Sequence, residues 1–309
     1  KKKMEEIMGY RIGFDIGSTT IKAVVIDENN QICYKSYERH KAQVRQKALD
    51  KLIELKKYTK EPFKFAISGS GALGLCEQGE LPFVQEVFAS ATGVSKLYPE
   101  TDCAIELGGE DAKILFFQGS VEQRMNSTCA GGTGAFIDQM ATLLNMSLEE
   151  MNEASLNYHR LYPIASRCGV FAKTDIQPLI NQGVDKCDLC ASIFQAVVDQ
   201  TITSLAQGRK IEGNILFLGG PLYFMSGLRN RFVETLKLTD VQVNCPETAI
   251  NFVALGTALC ADKEYTYNEL YKILVDLVHA PAKLAESKPL FESEEDYQKF
   301  IERHKSHDA

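Results

Sequence analysis

Two short stretches set a carboxylate beside a glycine turn, and both suit phosphate chemistry. In the first, an apolar strand RIGFDI carries Asp15, a turn of Gly17, Ser18, Thr19 and Thr20 follows, and a β-branched strand over 21–26 returns with Lys22. The backbone N–H groups and hydroxyls of such a loop can cradle a nucleotide's phosphates, with Asp15 placed to hold a magnesium ion through water. An ordinary polar hairpin is the competing reading. The pattern recurs further along. Residues 102–107 form a strand bearing Glu106, Gly108-Gly109-Glu110-Asp111 form the turn, and 112–117 resume as a strand. Each unit gains a third strand, at 31–37 and at 120–126. The chain is therefore read as internally duplicated, with two lobes whose glycine turns would clamp phosphates in the cleft between them.

Cysteine supplies the second chemistry. Nine cysteines are scattered along the chain, an odd number that argues against a disulfide framework and for thiols kept reduced or used as ligands. Cys129 lies just ahead of a glycine-rich helix start (Gly131, Gly132, Thr133, Gly134), where a helix dipole favours a thiolate, and Cys168 sits in the stretch SRCGVFAKTDI. Cys187-Asp188-Leu189-Cys190 is the chain's one C-x-x-C. No second pair stands at zinc-finger spacing and it falls at the start of a long predicted helix, so it reads as structural.

The elements that must position these residues follow from periodicity. A charged helix over 42–58 and a short strand over 64–68 precede Gly69-Ser70-Gly71-Ala72-Leu73-Gly74. That run matches G-x-G-x-x-G by spacing, but Gly79 and Pro82 interrupt the helix a dinucleotide fold needs, so it reads as a strand-to-helix glycine turn. Helices are expected over 86–97, 135–145, 175–182 with Pro178 in the first turn, 186–206, 228–236 and 248–262, with a buried strand over 214–218 that ends at Gly219-Gly220-Pro221. Ser147 and Glu150 have the spacing of a capping box. Residues 9–100 with 249–262 are expected to form one lobe and 101–248 the other. Residues 263–309, rich in Lys and Glu, are expected to be a helical tail or linker.

Composition removes several classes. A net charge of −7 offers nucleic acid and anionic membranes no general attraction, and 45% apolar residues is ordinary for a soluble globular protein. No apolar run is expected to reach the about 18 residues of a membrane span, and the start lacks the apolar core of a signal peptide; a cytoplasmic location is expected.

The three glycine turns, at 15–20, 106–111 and 218–221, resemble the first phosphate, second phosphate and adenosine motifs of the actin, sugar-kinase and heat-shock-ATPase superfamily. The segments CAGGTGAF around Cys129 and SRCGVFAKTDI around Cys168 narrow the resemblance to the activator ATPases of 2-hydroxyacyl-CoA dehydratases and of benzoyl-CoA reductase, over residues 9 to 262. The resemblance implies an α/β, two-lobed actin-like ATPase fold of duplicated ribonuclease H-like lobes. It implies ATP or ADP with Mg2+ in the cleft, held by Gly17, Ser18, Thr19, Thr20, Lys22, Gly108, Gly109, Asp111, Gly132, Thr133, Gly219 and Gly220. It also implies a homodimer sharing one [4Fe–4S] cluster on Cys129 and Cys168 of each subunit, charged by ferredoxin or flavodoxin, with ATP driving electron transfer to an iron–sulfur dehydratase- or reductase-type partner.

The resemblance implies Asp15, Glu106 and Glu110 as catalytic acids; the first motif with Asp15 is intact, and the departures from the family pattern begin at Glu106 and Glu110. The second motif usually reads Asp-Ile-Gly-Gly-Gln-Asp. Here Glu106 is longer by a methylene, and Glu110 puts charge where a neutral amide would face the γ-phosphate, so hydrolysis is expected to be slowed or to use Glu110 as a base. Pro221-Leu222-Tyr223-Phe224-Met225 replaces small and polar residues of the adenosine motif and is expected to narrow the pocket. The tail resembles the linker of tandem-module family members, which implies a first module with a degenerate or regulatory site. Two other functions compete: a small-molecule kinase of the same fold, with Asp111 or Asp175 as base, and a non-hydrolysing nucleotide-binding module.

Overall fold

The computed structural model describes residues 9–60, 62–126, 131–165, 168–281 and 289–305. The first lobe is laid down as β1 (Arg11–Ile16), β2 (Thr20–Ile26), β3 (Ile32–Arg39), α1 (Val44–Glu54), β4 (Phe63–Ser68), α2 (Leu73–Gly79) and α3 (Glu86–Leu97). The second follows as β5 (Cys103–Leu107), β6 (Ala112–Phe116), β7 (Glu122–Asn126), α4 (Gly134–Leu144), α5 (Leu148–Ser155), α6 (Gly169–Asn181), α7 (Lys186–Gln200), β8 (Ile215–Leu218), α8 (Gly220–Phe224), α9 (Ser226–Leu236) and β9 (Val243–Asn244). The chain then returns through α10 (Phe252–Cys260), β10 (Glu264–Tyr265) and α11 (Tyr267–His279).

Two five-stranded sheets result, ordered β10-β4-β1-β2-β3 and β7-β6-β5-β8-β9. Their registers repeat one another. Each has an antiparallel hairpin, β1 with β2 and β5 with β6, and in each the hairpin's first strand pairs in parallel with a later strand, β4 or β8. The duplication read from the sequence is thus a duplication of topology.

Three apolar clusters hold the lobes. One lies on one face of the first sheet, around Ile12, Phe14, Phe65 and Ile67. A second fills the other lobe, with Ile105, Ile114 and Phe217 of its sheet against Phe136, Ile176 and Phe194 of α4, α6 and α7. The third joins them: Val24 and Ile26 from the first sheet and Leu115, Leu216 and Leu218 from the second meet on α10, whose residues 252–259 are all buried. Because α10 is apolar all round, it can serve both sheets at once.

Several elements differ from their expected limits. α6 begins at Gly169, directly after Cys168, so Pro178 lies inside the helix and not in its first turn. It stands near the C-terminal end, where the missing N–H removes one ladder bond only. β10 pairs with β4, and Leu270, Leu274 and Leu277 of α11 enter the first lobe's core, so residues 264–278 are part of that lobe where a tail was expected. The cause is helical spacing: those leucines recur on one face and can be buried only against the sheet. Lys186–Ala206, continued past α7 by a π-helical segment, is long and apolar enough to cross a membrane by length and composition, although no such run was expected; 72% of its 18-residue apolar window is buried inside the protein. The capping box stands as expected, with Ser147 Oγ accepting from Glu150 N and Glu150 Oε2 from Ser147 N.

Residues 279–309 form a separate small unit. Its helix α12 (Glu294–Lys305) has no buried residue, and Phe291 packs its ring against Tyr297 and Phe300.

Candidate functional site

The two hairpin turns are built alike. Gly17 N donates to Thr20 O at 2.9 Å and Gly108 N donates to Asp111 O at 2.8 Å, so each turn is closed by one bond between its first and last residues. In both hairpins the acid faces a lysine across the strands, Asp15 opposite Lys22 and Glu106 opposite Lys113. The turns approach one another: a Cβ placed on Gly109 would lie 3.5 Å from Thr19 Oγ1.

Glycine is required where the parallel strands end. Gly69 follows β4 at φ +99° and Gly219 follows β8 at φ +88°, and a Cβ would fall 2.2 Å from Ile16 O at the first and 2.0 Å from Leu107 O at the second. Gly69 is therefore the first lobe's counterpart of Gly219. The G-x-G-x-x-G run exists to let β4's exit pass over the end of β1, which supports the glycine-turn reading.

Between the turns lies a cleft of about 640 Å³. It is lined by the first turn with Asp15 and Lys22, by Glu106 and the second turn with Glu110, and by Gly219 and Gly220 of the third. Gly134 and Ala135 join them because α4 docks on the second turn, with Gly134 N donating to Gly108 O at 2.9 Å and Ala135 N to Gly109 O at 2.7 Å. A helix start aimed at a phosphate turn adds partial positive charge there. Gly132 and Thr133 do not line the cleft: Thr133 is fully buried at the start of α4, and Gly132 takes φ +79° against Gln200. They shape the helix entry from behind. Pro221, Phe224 and Met225 of the bulky third motif do line the cleft, and Phe224 meets Tyr37 of β3 across it with ring centroids 6.3 Å apart.

Sequence reasoning missed Lys113, Glu86, Tyr37 and Arg39, all of which line the cleft. Lys113 was legible: it follows Glu106 at the same separation at which Lys22 follows Asp15. Its ammonium lies 2.8 Å from Asp111, 3.5 Å from Glu106 and 2.5 Å from Glu86. Burial opposes charging Lys113, but the surrounding carboxylates outweigh it and hold the pKa well above that of an ordinary lysine. Lys22, 2.7 Å from Asp15, is likewise raised against the burial that opposes it. Burial pushes Glu106 up, and Lys113 pulls in the other direction.

Among the described residues, seven carboxylates and three cationic side chains line the cleft. That balance disfavours a bare polyphosphate, and a divalent cation would offset the repulsion. Among the described residues no three His, Cys, Asp or Glu side chains converge as a metal site. The donor set fits Mg2+ in its usual form, held by one or two carboxylates, water and phosphate oxygens.

The aspartates offered to a kinase are placed differently, and Asp111 alone of the two lines the cleft. Asp175 accepts from Ala165 N at 2.8 Å and does not line the cleft, while Asp111 is paired with Lys113.

Of the two cysteines expected to hold a cluster, Cys129 lies outside the described residues. Cys168 is half-buried at the N-cap of α6 and does not line the cleft; the next residues but one and two, Val170 and Phe171, are 71% and 64% exposed. The C-x-x-C pair is structural in its setting. Cys187 and Cys190 occupy the first turns of α7, burial pushes Cys190 up to about 12, and Cys187 is raised by burial and by Asp185. Asp188 between them accepts from His159 N at 2.7 Å and Arg160 N at 3.0 Å, which ties down the segment that leads towards Cys168.

Similarity to known proteins agrees with this geometry. Over 259 residues the chain is 27% identical to the (R)-2-hydroxyglutaryl-CoA dehydratase activating ATPase of Acidaminococcus fermentans, covering 82% of this chain and 98% of that protein. It is 28% identical over 258 residues to the activator of lactoyl-CoA dehydratase of Anaerotignum propionicum, covering 82% and 97%. The solved activator of the 2-hydroxyisocaproyl-CoA dehydratase from Clostridium difficile with bound ADPNP superposes with a TM-score of 0.71 at 26% identity, over 85% of this chain and 96% of that one. The family model of the BadF/BadG/BcrA/BcrD ATPases matches residues 12–261, and the chain belongs to that family.

Proposed function

We propose that this protein is an ATP-dependent activator that passes single electrons to an iron–sulfur enzyme of the 2-hydroxyacyl-CoA dehydratase or benzoyl-CoA reductase type. The observation that carries the reading is the duplicated clamp, in which two identically closed glycine turns, each with an acid–lysine pair, face one another across one cleft. MgATP or MgADP is its proposed ligand. Lys22 and Lys113 neutralise phosphate oxygens, and the hydroxyls and amides of 17–20 and 108–111 orient them. Glu110 is exposed at the cleft wall and is the proposed base for water, while Glu106, committed to Lys113 and Ser90, is placed to hold a metal-bound water only weakly. Slow hydrolysis follows from that commitment.

A [4Fe–4S] cluster shared by two copies, on Cys129 and Cys168 of each, would supply the one-electron carrier. Cys168 fits a ligand's place: it caps a 13-residue helix and is half-buried beside the exposed pair Val170 and Phe171, an apolar rim that a second copy would cover. Ferredoxin or flavodoxin is the proposed donor and the cytoplasm the proposed location. Anaerobic purification with iron and sulfide counting, together with the mass of the assembly with and without ATP, tests the proposal. About four irons per dimer, lost on Cys129→Ala or Cys168→Ala, is expected. A protein that stays iron-free after anaerobic reconstitution refutes the electron-transfer role, and one that binds no nucleotide refutes the clamp.

A further inference from the structure

The two halves of the cleft are duplicates, and the point at which they stop matching assigns a role. Among the described residues Lys22 forms its ion pair with Asp15, inside its own hairpin, and its side chain keeps 19% exposure. Lys113, the counterpart, is 2% exposed and binds carboxylates from both lobes: Glu106 and Asp111 of its own hairpin, and Glu86 at the start of α3 in the first lobe. Glu86 uses its other oxygen to accept from Ser70 N at 3.1 Å, inside the turn that Gly69 opens. One helical turn along α3, Ser90 Oγ donates to Glu106 Oε2 at 3.2 Å. One buried ammonium on the cleft wall therefore joins the second phosphate turn to α3 and to the Gly69 turn of the other lobe.

An ammonium has three donors, and here three carboxylates take them. A terminal phosphate lodged between Thr19 and Gly109 would bring oxygens that compete for the same donors. We propose that Lys113 is the residue that reads the nucleotide's terminal phosphate, and that it reports occupancy to the first lobe by exchanging Glu86 for a phosphate oxygen. This rests on the nucleotide site proposed above. Glu86 is the partner released because Asp111 and Glu106 belong to Lys113's own hairpin and move with it, and because the Glu86 side chain is 21% exposed, so water can solvate it once free. The released carboxylate no longer fixes the Ser70 amide, so the state of the phosphate is felt at the 69–71 turn and at the start of α3. A nucleotide shifts this equilibrium only if it binds the two arrangements differently. A diphosphate that stops short of Lys113 leaves the bridge to Glu86 closed, and a triphosphate opens it. Lys22, whose ion pair lies within its own hairpin, holds phosphates common to both.

Hydrogen exchange and nucleotide titration of the full chain test this, with MgADP and a non-hydrolysable magnesium–ATP analogue as probes. In the wild type the analogue, and not ADP, should speed exchange of the Ser70 amide. Glu86→Gln keeps the shape and an acceptor for Ser70 but removes the competing charge. It should tighten the analogue by roughly fivefold or more, the lower range of ordinary coupling between sites, leave ADP unchanged, and abolish the difference in exchange between the two ligands. Lys113→Met should bring the analogue-to-ADP affinity ratio close to one. Equal Ser70 exchange with both nucleotides overturns the proposal. So does unchanged analogue affinity in a Glu86→Gln protein that melts and binds ADP like the wild type, and in both cases the nucleotide site still stands. Wild-type protein that binds neither probe overturns the nucleotide site and this inference together.

Discussion

Gly219 and Gly220 are adjacent, and replacing each with alanine should have opposite consequences. Gly219 sits at φ +88° and ψ 163°, a region open essentially to glycine alone, and a side chain held there costs about 1–3 kcal/mol. Its Cβ would also stand 2.0 Å from Leu107 O, 2.8 Å from Leu107 C and 3.1 Å from Leu107 N. All three are backbone atoms at the end of β5, so relief requires β5 to slide against β8, which adds a further overpacking cost of about 1–3 kcal/mol. Gly219→Ala should therefore lose about 2–6 kcal/mol in all, reaching the upper end of what single substitutions do. Gly220 has no such φ, and a Cβ there would meet only Tyr37 Oη, at 3.7 Å, an ordinary contact. Gly220→Ala should stay within about 0.5 kcal/mol of the wild type. Urea unfolding followed by circular dichroism measures both, with stability compared at equal m-value. Since Leu107 precedes Gly108, the same displacement should weaken nucleotide binding in Gly219→Ala. Equal unfolding midpoints for the two variants would refute the close approach on which the site's geometry rests.

Two other outcomes are expected. Asp188→Ala leaves the amides of His159 and Arg160 without their acceptor and should cost about 1–3 kcal/mol. In the wild type those two bonds hold the Asp188 carboxyl below its usual value, so its contribution is present above the unfolded pKa of about 3.9 and is lost as pH falls through the lower folded value; protection of those amides against exchange that is already lost near neutral pH would contradict it. Burial pushes Cys76, Cys103 and Cys190 up to about 12, whereas Cys33 is exposed. Iodoacetamide at pH 8 followed by peptide mass mapping should therefore label Cys33 and leave those three unmodified in the native protein, and comparable labelling of all four would count against their burial.

What the sequence determined by itself is what short-range chemistry controls. The two acid–glycine hairpins, their repetition, the glycine exit at 218–221 and the Ser147–Glu150 cap all depend on residues within a few positions of one another, so turn and capping preferences suffice to find them. The family followed from those motifs in order. The lysine of the second hairpin belonged to the same class, and carrying the repeat seven residues past Glu106 would have found it. Tertiary structure decided the rest. Nothing near Glu86 in the chain points to Lys113, because their bond forms only when α3 and β6 are brought together from opposite lobes. Residues 263–309 read as a tail from their Lys and Glu content, and β10 pairing with β4 carried α11 into the first lobe. Pro178 argued for a late helix start, but packing of Ala172 and Ile176 into the second core favoured a start directly after Cys168. A proline costs one hydrogen bond near a helix end, and the buried face of that helix outweighs it.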